Sequence, residues 1–211
     1  MATGTAREES GVLQLGSCID TIIAAGYHRF TDFGRGMVEK DYRRLWPTEV
    51  LSPIFQEQNG FGRILLVDRT IGILELLRLG GCESRQVSLL DWTDGVEAPV
   101  DSETQLQLAR YVVFAQLGER NLGHSADECW KTHASCLETG LTKFEGLHVA
   151  IQCKPYLEEH GVILLGSRTP NQEVLYLRRT HGQTVMLVGS SYLVKENDGS
   201  ATRSTQVRPV R

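Results

Sequence analysis

Between Val12 and Ala25 the apolar residues Val12, Leu15, Ile19, Ile22 and Ile23 recur at spacings of three and four, which places them on one face of an amphipathic helix. Ser52-Pro53 breaks the chain. The segment Arg63 to Leu79 then repeats a helical apolar pattern through Ile64, Leu65, Ile71, Leu74 and Leu77, and Gly80-Gly81 ends it as a helix stop. From Cys82 to Trp92 the residues become strand-like. Leu106 to Gln116 is rich in strand formers, and Gly118-Glu119 joins it to Asn121–Cys129 in an expected hairpin.

A second hairpin is written more clearly. Glu173 to Thr180 and Gln183 to Val194 are β-branched and aromatic runs joined by His181-Gly182, whose glycine permits the positive φ of a tight turn. Before it, Lys154-Pro155 opens a short helix, Tyr156 to His160, with Gly161 suited to a left-handed cap. Helices first and antiparallel pairs later predict an α+β fold rather than a parallel βαβ sheet.

Residues 1–10 and 196–211 are polar with no apolar period and read as mobile tails, leaving 11–195 as a single domain. Hydrophobic residues at 41% and charged residues at 23% put the chain among folding, globular sequences. A net charge of −4 offers no positive field for a phosphate backbone, so nucleic acid is not expected as a partner. Asp20, Asp68, Arg69 and Glu75 interrupt the longest apolar runs, so no membrane span is expected. The first ten residues lack the order of a secretory signal, which points to the cytoplasm.

Cys18, Cys82, Cys129, Cys136 and Cys153 are odd in number and form no CxxC pair, so reduced thiols are expected. His124, Cys129, His133 and Cys136 are the densest group of soft ligands, but their spacing fits no zinc template and no metal is expected. Cys129 and His133 stand four apart, a spacing that would put thiol and imidazole on one face of a helix. The glycines of Gly34-Arg35-Gly36 and Gly60-Phe61-Gly62 lack the strand and helix a phosphate loop needs, so no nucleotide cofactor is expected.

Three segments carry a likeness. Arg63-Ile64-Leu65-Leu66 is followed by Thr70-Ile71-Gly72-Ile73-Leu74-Glu75. Arg110-Tyr111-Val112-Val113-Phe114 is followed by Gly118-Glu119, and the chain from Gly182 to Leu193 closes the series. In this order they resemble the chorismate pyruvate-lyase superfamily, whose fold also underlies UTRA ligand-binding domains. The resemblance implies a single antiparallel β-sheet flanked by helices, with an enclosed small-molecule pocket. It also implies that Arg110 binds a substrate carboxylate. The family's second Arg falls near His124 and its proton-transfer Glu falls on Ser190. A hydroxyl cannot replace a carboxylate as proton acceptor without a neighbouring base.

These readings converge on a cofactor-independent enzyme of lyase, isomerase or cyclase type, acting on a small organic metabolite that bears a carboxylate or carbonyl. Arg110, Ser190 and His124 are the candidate catalytic residues, and Tyr192, Tyr111 and Phe114 the candidate substrate contacts. The alternatives are a non-catalytic ligand-binding module of UTRA type and a true chorismate lyase with a rearranged site. For Arg110 the competing reading is an ion pair with Asp or Glu at the sheet edge.

Overall fold

The computed structural model describes residues 16–30, 44, 61–83, 110–133, 138–168, 173–189, 198–204 and 208–209. In chain order these form α1 (16–25), β1 (Arg63–Asp68), α2 (Ile73–Gly80), β2 (Cys82–Glu83), β3 (Arg110–Gln116) and α3 (Ala126–His133). Then come β4 (Glu138–Gly140), α4 (Lys143–Gln152), α5 (Lys154–Glu159), β5 (Gly161–Arg168), β6 (Val174–Thr180), β7 (Gln183–Gly189), β8 (Asp198–Ser204) and β9 (Arg208–Pro209).

The run 63–79 is not one helix. Residues 64–68 are all buried, so the strand β1 is covered on both faces and shows no alternation. A short, uniformly apolar run of this kind cannot be told from a buried helix by period alone. Asp68 ends the strand: its Oδ1 accepts from the Thr70 N–H at 3.0 Å and from the Thr70 hydroxyl at 2.6 Å, an Asx turn. The helix starts only at Ile73 and stops, as its sequence signals, at Gly81 with φ 64°.

The sheet runs β1-β3-β8-β5-β6-β7-β2, with β4 also on β8 and β9 on β3. It is mixed, not a single antiparallel sheet: β5–β8 and β2–β7 are parallel, and the other pairs antiparallel. The hairpin β6–β7 forms as its turn predicts, with His181 at φ 52° and Gly182 at φ 77°. The hairpin expected over 106–129 does not form; after β3 the chain turns at 117–125 and enters α3. Gly161 caps no helix and begins β5 instead, because His160 leaves α5 in extended conformation. Beyond Glu83 the strand expected to Trp92 lies outside the described residues, as does the first turn of the helix expected from Val12.

The largest departure is β8, which lies inside the stretch read as a mobile tail. It pairs with β5 through 198–201 and with β3 and β4 through 202–204, and Ser200, Ala201 and Thr202 are fully buried. Its sequence DGSATRS has no apolar alternation because small and polar side chains, and at Gly199 the bare backbone, pack there. A Cβ on Gly118 would stand 2.5 Å from the Gly199 carbonyl carbon, closer than real contacts allow. Polar atoms buried with the strand find partners. Gln116 Nε2 donates to Ser200 O at 2.9 Å and to Thr202 Oγ1 at 2.8 Å, and the Thr202 hydroxyl donates to Glu138 at 2.7 Å.

Alternation along β5 and β6 separates two apolar clusters. Val162, Leu164, Leu175 and Leu177 join the main core with α1, β1, β3 and α4, whereas Ile163, Leu165, Val174 and Tyr176 meet Ala126 and Cys129 of α3. Helix α4 is buried on nearly every side, which is why no amphipathic stripe announces it. Its start is fixed by a capping box between Thr142 and Glu145.

Side chains also close the outer edge of β1. The Cys18 thiol donates to Ile64 O at 3.4 Å, the Gln152 amide accepts from Leu66 N and donates to Leu66 O, and His148 Nε2 accepts from Asp68 N at 3.4 Å. An edge strand so occupied offers no template for another chain. Among the described residues no helix is long and apolar enough to cross a membrane.

Candidate functional site

Arg110 opens β3 directly opposite Asp68 of β1. Its Nε donates to Asp68 Oδ2 at 2.9 Å and its Nη2 to Thr70 Oγ1 at 3.0 Å, with both charged side chains nearly excluded from water. This is the sheet-edge ion pair that stood as the competing reading, but deeply buried. Tyr111 faces the other way and donates to Glu145 at 3.2 Å inside the main core. Phe114 lies half-buried against that core. Successive strand side chains alternate, so Arg110 and Phe114 share one face and Tyr111 takes the other.

His124 is exposed in the turn after β3 and so sits at the far end of that strand from Arg110, roughly 20 Å away at about 3.3 Å per residue. The structure therefore does not gather Arg110, Tyr111, Phe114 and His124 in one place. Ser190 and Tyr192 lie outside the described residues.

The core around Arg110 also holds a buried imidazole. Only donation is open to the Asp68 N–H, so His148 Nε2 accepts it, the ring proton sits on Nδ1, and Nδ1–H donates to Tyr27 Oη at 2.7 Å. Burial drives the His148 pKa down to about 4, keeping the ring neutral in this role. Every group here has a partner, as a structural network requires.

A different arrangement lies where α3 covers β8, β5 and β6. Ser200, Ile163 and Tyr176 are aligned across the three strands and point toward α3. One residue earlier on β8, Gly199 approaches Gly118; two earlier, Asp198 reaches over Gly161 toward Arg178, with 4.0 Å between Nη1 and Oδ1. A Cβ on Gly161 would stand 2.8 Å from the Asp198 carboxyl carbon, so only glycine leaves that path open. Helix α3 starts on a reciprocal cap, Ser125 N–H to Glu128 at 2.8 Å and Glu128 N–H to Ser125 Oγ at 3.3 Å. It then turns Ala126, Cys129 and His133 inward.

Asn121 joins these parts. Its Oδ1 accepts from Ser200 N at 2.8 Å, which fixes Nδ2 as the donor; Nδ2 reaches Ser200 O at 3.2 Å and His133 Nε2 at 3.3 Å. The imidazole must therefore accept at Nε2 and carry its proton on Nδ1. Burial lowers the His133 pKa, Glu138 opposing and Arg120 adding to the effect, so the ring is neutral near pH 7. Its buried Nδ1 has no hydrogen-bond partner among the described residues. The Ser200 hydroxyl hydrogen-bonds the Cys129 thiol and finds no oxygen or nitrogen partner among the described residues.

Burial raises the Cys129 pKa despite the Ser200 hydroxyl. The i, i+4 pair Cys129 and His133 thus forms on one helix face as its spacing predicts, but as a protonated thiol beside a neutral ring whose accepting nitrogen is occupied. A thiolate nucleophile needs the opposite. Among the described residues no three His, Cys, Asp or Glu side chains group as metal ligands. Cys18, Cys82, Cys129 and Cys153 carry no disulfide, and Cys136 lies outside the described residues.

Asn121, Ser200, Asp198 and Arg178 were not singled out in the sequence. The Cys129/His133 spacing was a visible signal for α3, but the polar strand beneath it carried none. No known protein family, curated protein or solved structure matches this chain.

Proposed function

We propose that this chain handles a small organic metabolite without a bound cofactor, at the face of the sheet that α3 covers. The observation that carries the reading is a pair of buried polar groups: His133 Nδ1–H, which has no hydrogen-bond partner among the described residues, and the Ser200 hydroxyl, which among them meets only the Cys129 thiol. Buried polar groups are nearly always satisfied, so one left without a partner calls for an explanation, and a ligand is one. A neutral imidazole and a hydroxyl beside an apolar patch of Ile163, Leu165, Val174 and Tyr176 have the makeup of a small-molecule site. Turnover there would be of lyase, isomerase or cyclase kind, driven by shape and hydrogen bonding rather than by a nucleophile. A non-catalytic binding module shares the same site and differs only in leaving its ligand unchanged.

An enclosed pocket on a chorismate-lyase-like scaffold is the finer form of the proposal, with Arg110 bracing the sheet rather than gripping the substrate. On that resemblance chorismate itself is expected to yield little or no 4-hydroxybenzoate, because Ser190 falls where the family carries its proton-transfer carboxylate. The deciding experiment is a thermal-shift screen of a metabolite library on the native chain and on His133→Phe, with NMR of each hit for chemical change. Hits that stabilise the native chain and fail on the variant support the reading. A library without hits, or hits indifferent to His133→Phe, overturns it.

A further inference from the structure

We infer that His133 is an acid-operated latch for α3: a proton arriving at Nε2 turns that nitrogen against Asn121 and releases the last turn of the helix from β8. The latch concerns how α3 is held and does not depend on what the helix covers. It rests on an amide that cannot turn. Asn121 accepts from Ser200 N at 2.8 Å and donates to Ser200 O at 3.2 Å, so rotating it would set oxygen against oxygen and N–H against N–H. Held this way, it presents only N–H to His133 Nε2, at 3.3 Å. A neutral ring accepts there, whereas an imidazolium donates from both nitrogens and meets a donor. The Nδ1–H already lacks a partner among the described residues, so the cation would bury two such groups.

The charged groups around the ring do not rescue the cation. Glu138 of β4 favours it, but Glu138 Oε1 accepts from Arg120 at 2.7 Å and Oε2 from the Thr202 hydroxyl at 2.7 Å, and Arg120 itself repels the cation. Asp198 of β8 and Arg178 of β6 face each other at 4.0 Å, two residues along β8 from Ser200. From β5 come the apolar Ile163 and Leu165, and on the inward face of α3 the protonated Cys129 thiol. A helix C-terminus favours a cation, yet burial outweighs it and holds the His133 pKa below its ordinary value. Among the described residues the apolar hold on α3 is Ala126 and Cys129 against Ile163, Leu165, Val174 and Tyr176, a cluster separate from the main core. A helix held by so small a cluster opens at lower free energy than the domain unfolds. In open α3 the ring meets water and titrates near about 6.5. The closed state is therefore at full strength above about pH 6.5 and weakens as pH falls toward the lowered pKa, by up to about ten-fold in the opening equilibrium per pH unit.

Native-state hydrogen exchange of the full chain at about pH 5 and about pH 7.5, corrected for intrinsic rates, reads the opening residue by residue. At the lower pH the amides of Trp130, Lys131, Thr132 and His133 are expected to lose more protection than those of β1 and β3, which answer to His148 instead. In His133→Gln, whose side chain accepts without titrating, that excess loss is expected to vanish. Ring-nitrogen NMR of the native chain needs no variant and is expected to show the proton on Nδ1 near neutral pH, with Nε2 titrating below the ordinary histidine value. A ring protonated on Nε2 at neutral pH, or titration at or above the ordinary value, overturns the latch. So does an excess loss that is absent from the native chain or persists in His133→Gln.

Discussion

Replacing Arg110 tests whether its guanidinium braces the fold. In Arg110→Met the apolar stem stays while Asp68, fully buried, loses the Nε donor at 2.9 Å, and Thr70 loses its contact with Nη2 at 3.0 Å. Breaking a buried pair by removing one partner leaves a desolvated charge and costs about 3 to 5 kcal/mol. Against a domain stability of roughly 5 to 15 kcal/mol this is a large share. With a urea m-value near 2 kcal/mol/M, the unfolding midpoint falls by about 2 M. Removing both charges in Asp68→Leu/Arg110→Met is expected to recover much of the loss, since an apolar pair of similar volume can replace a buried ion pair at little cost. The assay is urea unfolding followed by circular dichroism on the native chain, both single variants and the double. A loss below about 1 kcal/mol in Arg110→Met would match an exposed pair and refute the argument.

Two further perturbations probe the interior. His148 has a folded pKa of about 4 against an unfolded value near 6.5, so between those values the unfolded chain binds the extra proton. Its contribution is complete above pH 6.5 and is lost as pH falls toward 4, a change of roughly 3 kcal/mol. The difference between the pH profiles of the native chain and His148→Gln isolates it; parallel profiles would contradict the buried neutral ring. Gly199→Ala drives a methyl group into the Gly118 backbone and is expected to cost about 1 to 3 kcal/mol or more, read as a lowered melting temperature. An unchanged melting temperature would mean that the two glycines do not meet.

The sequence by itself determined what local chemistry controls. His181-Gly182 specified the β6–β7 turn because a two-residue hairpin needs positive φ, and Gly81 stopped α2 for the same reason. The strand Arg110–Gln116 was legible from its strand formers, and the Cys129/His133 spacing anticipated a shared helix face. Tertiary structure decided the rest. A uniformly apolar run such as Arg63–Asp68 fits a buried strand as well as a buried helix, and only the cover on both its faces resolved it. The helix Lys143–Gln152 has no polar side to announce it. The strand Asp198–Ser204 reads as a tail because its fit comes from glycine backbones meeting and from Gln116, Asn121 and Glu138 reaching it across long stretches of chain. The candidate site follows that strand. Ser200 gains meaning only once Asn121 and His133 lie beside it, a contact between residues 79 apart in sequence that no local pattern encodes.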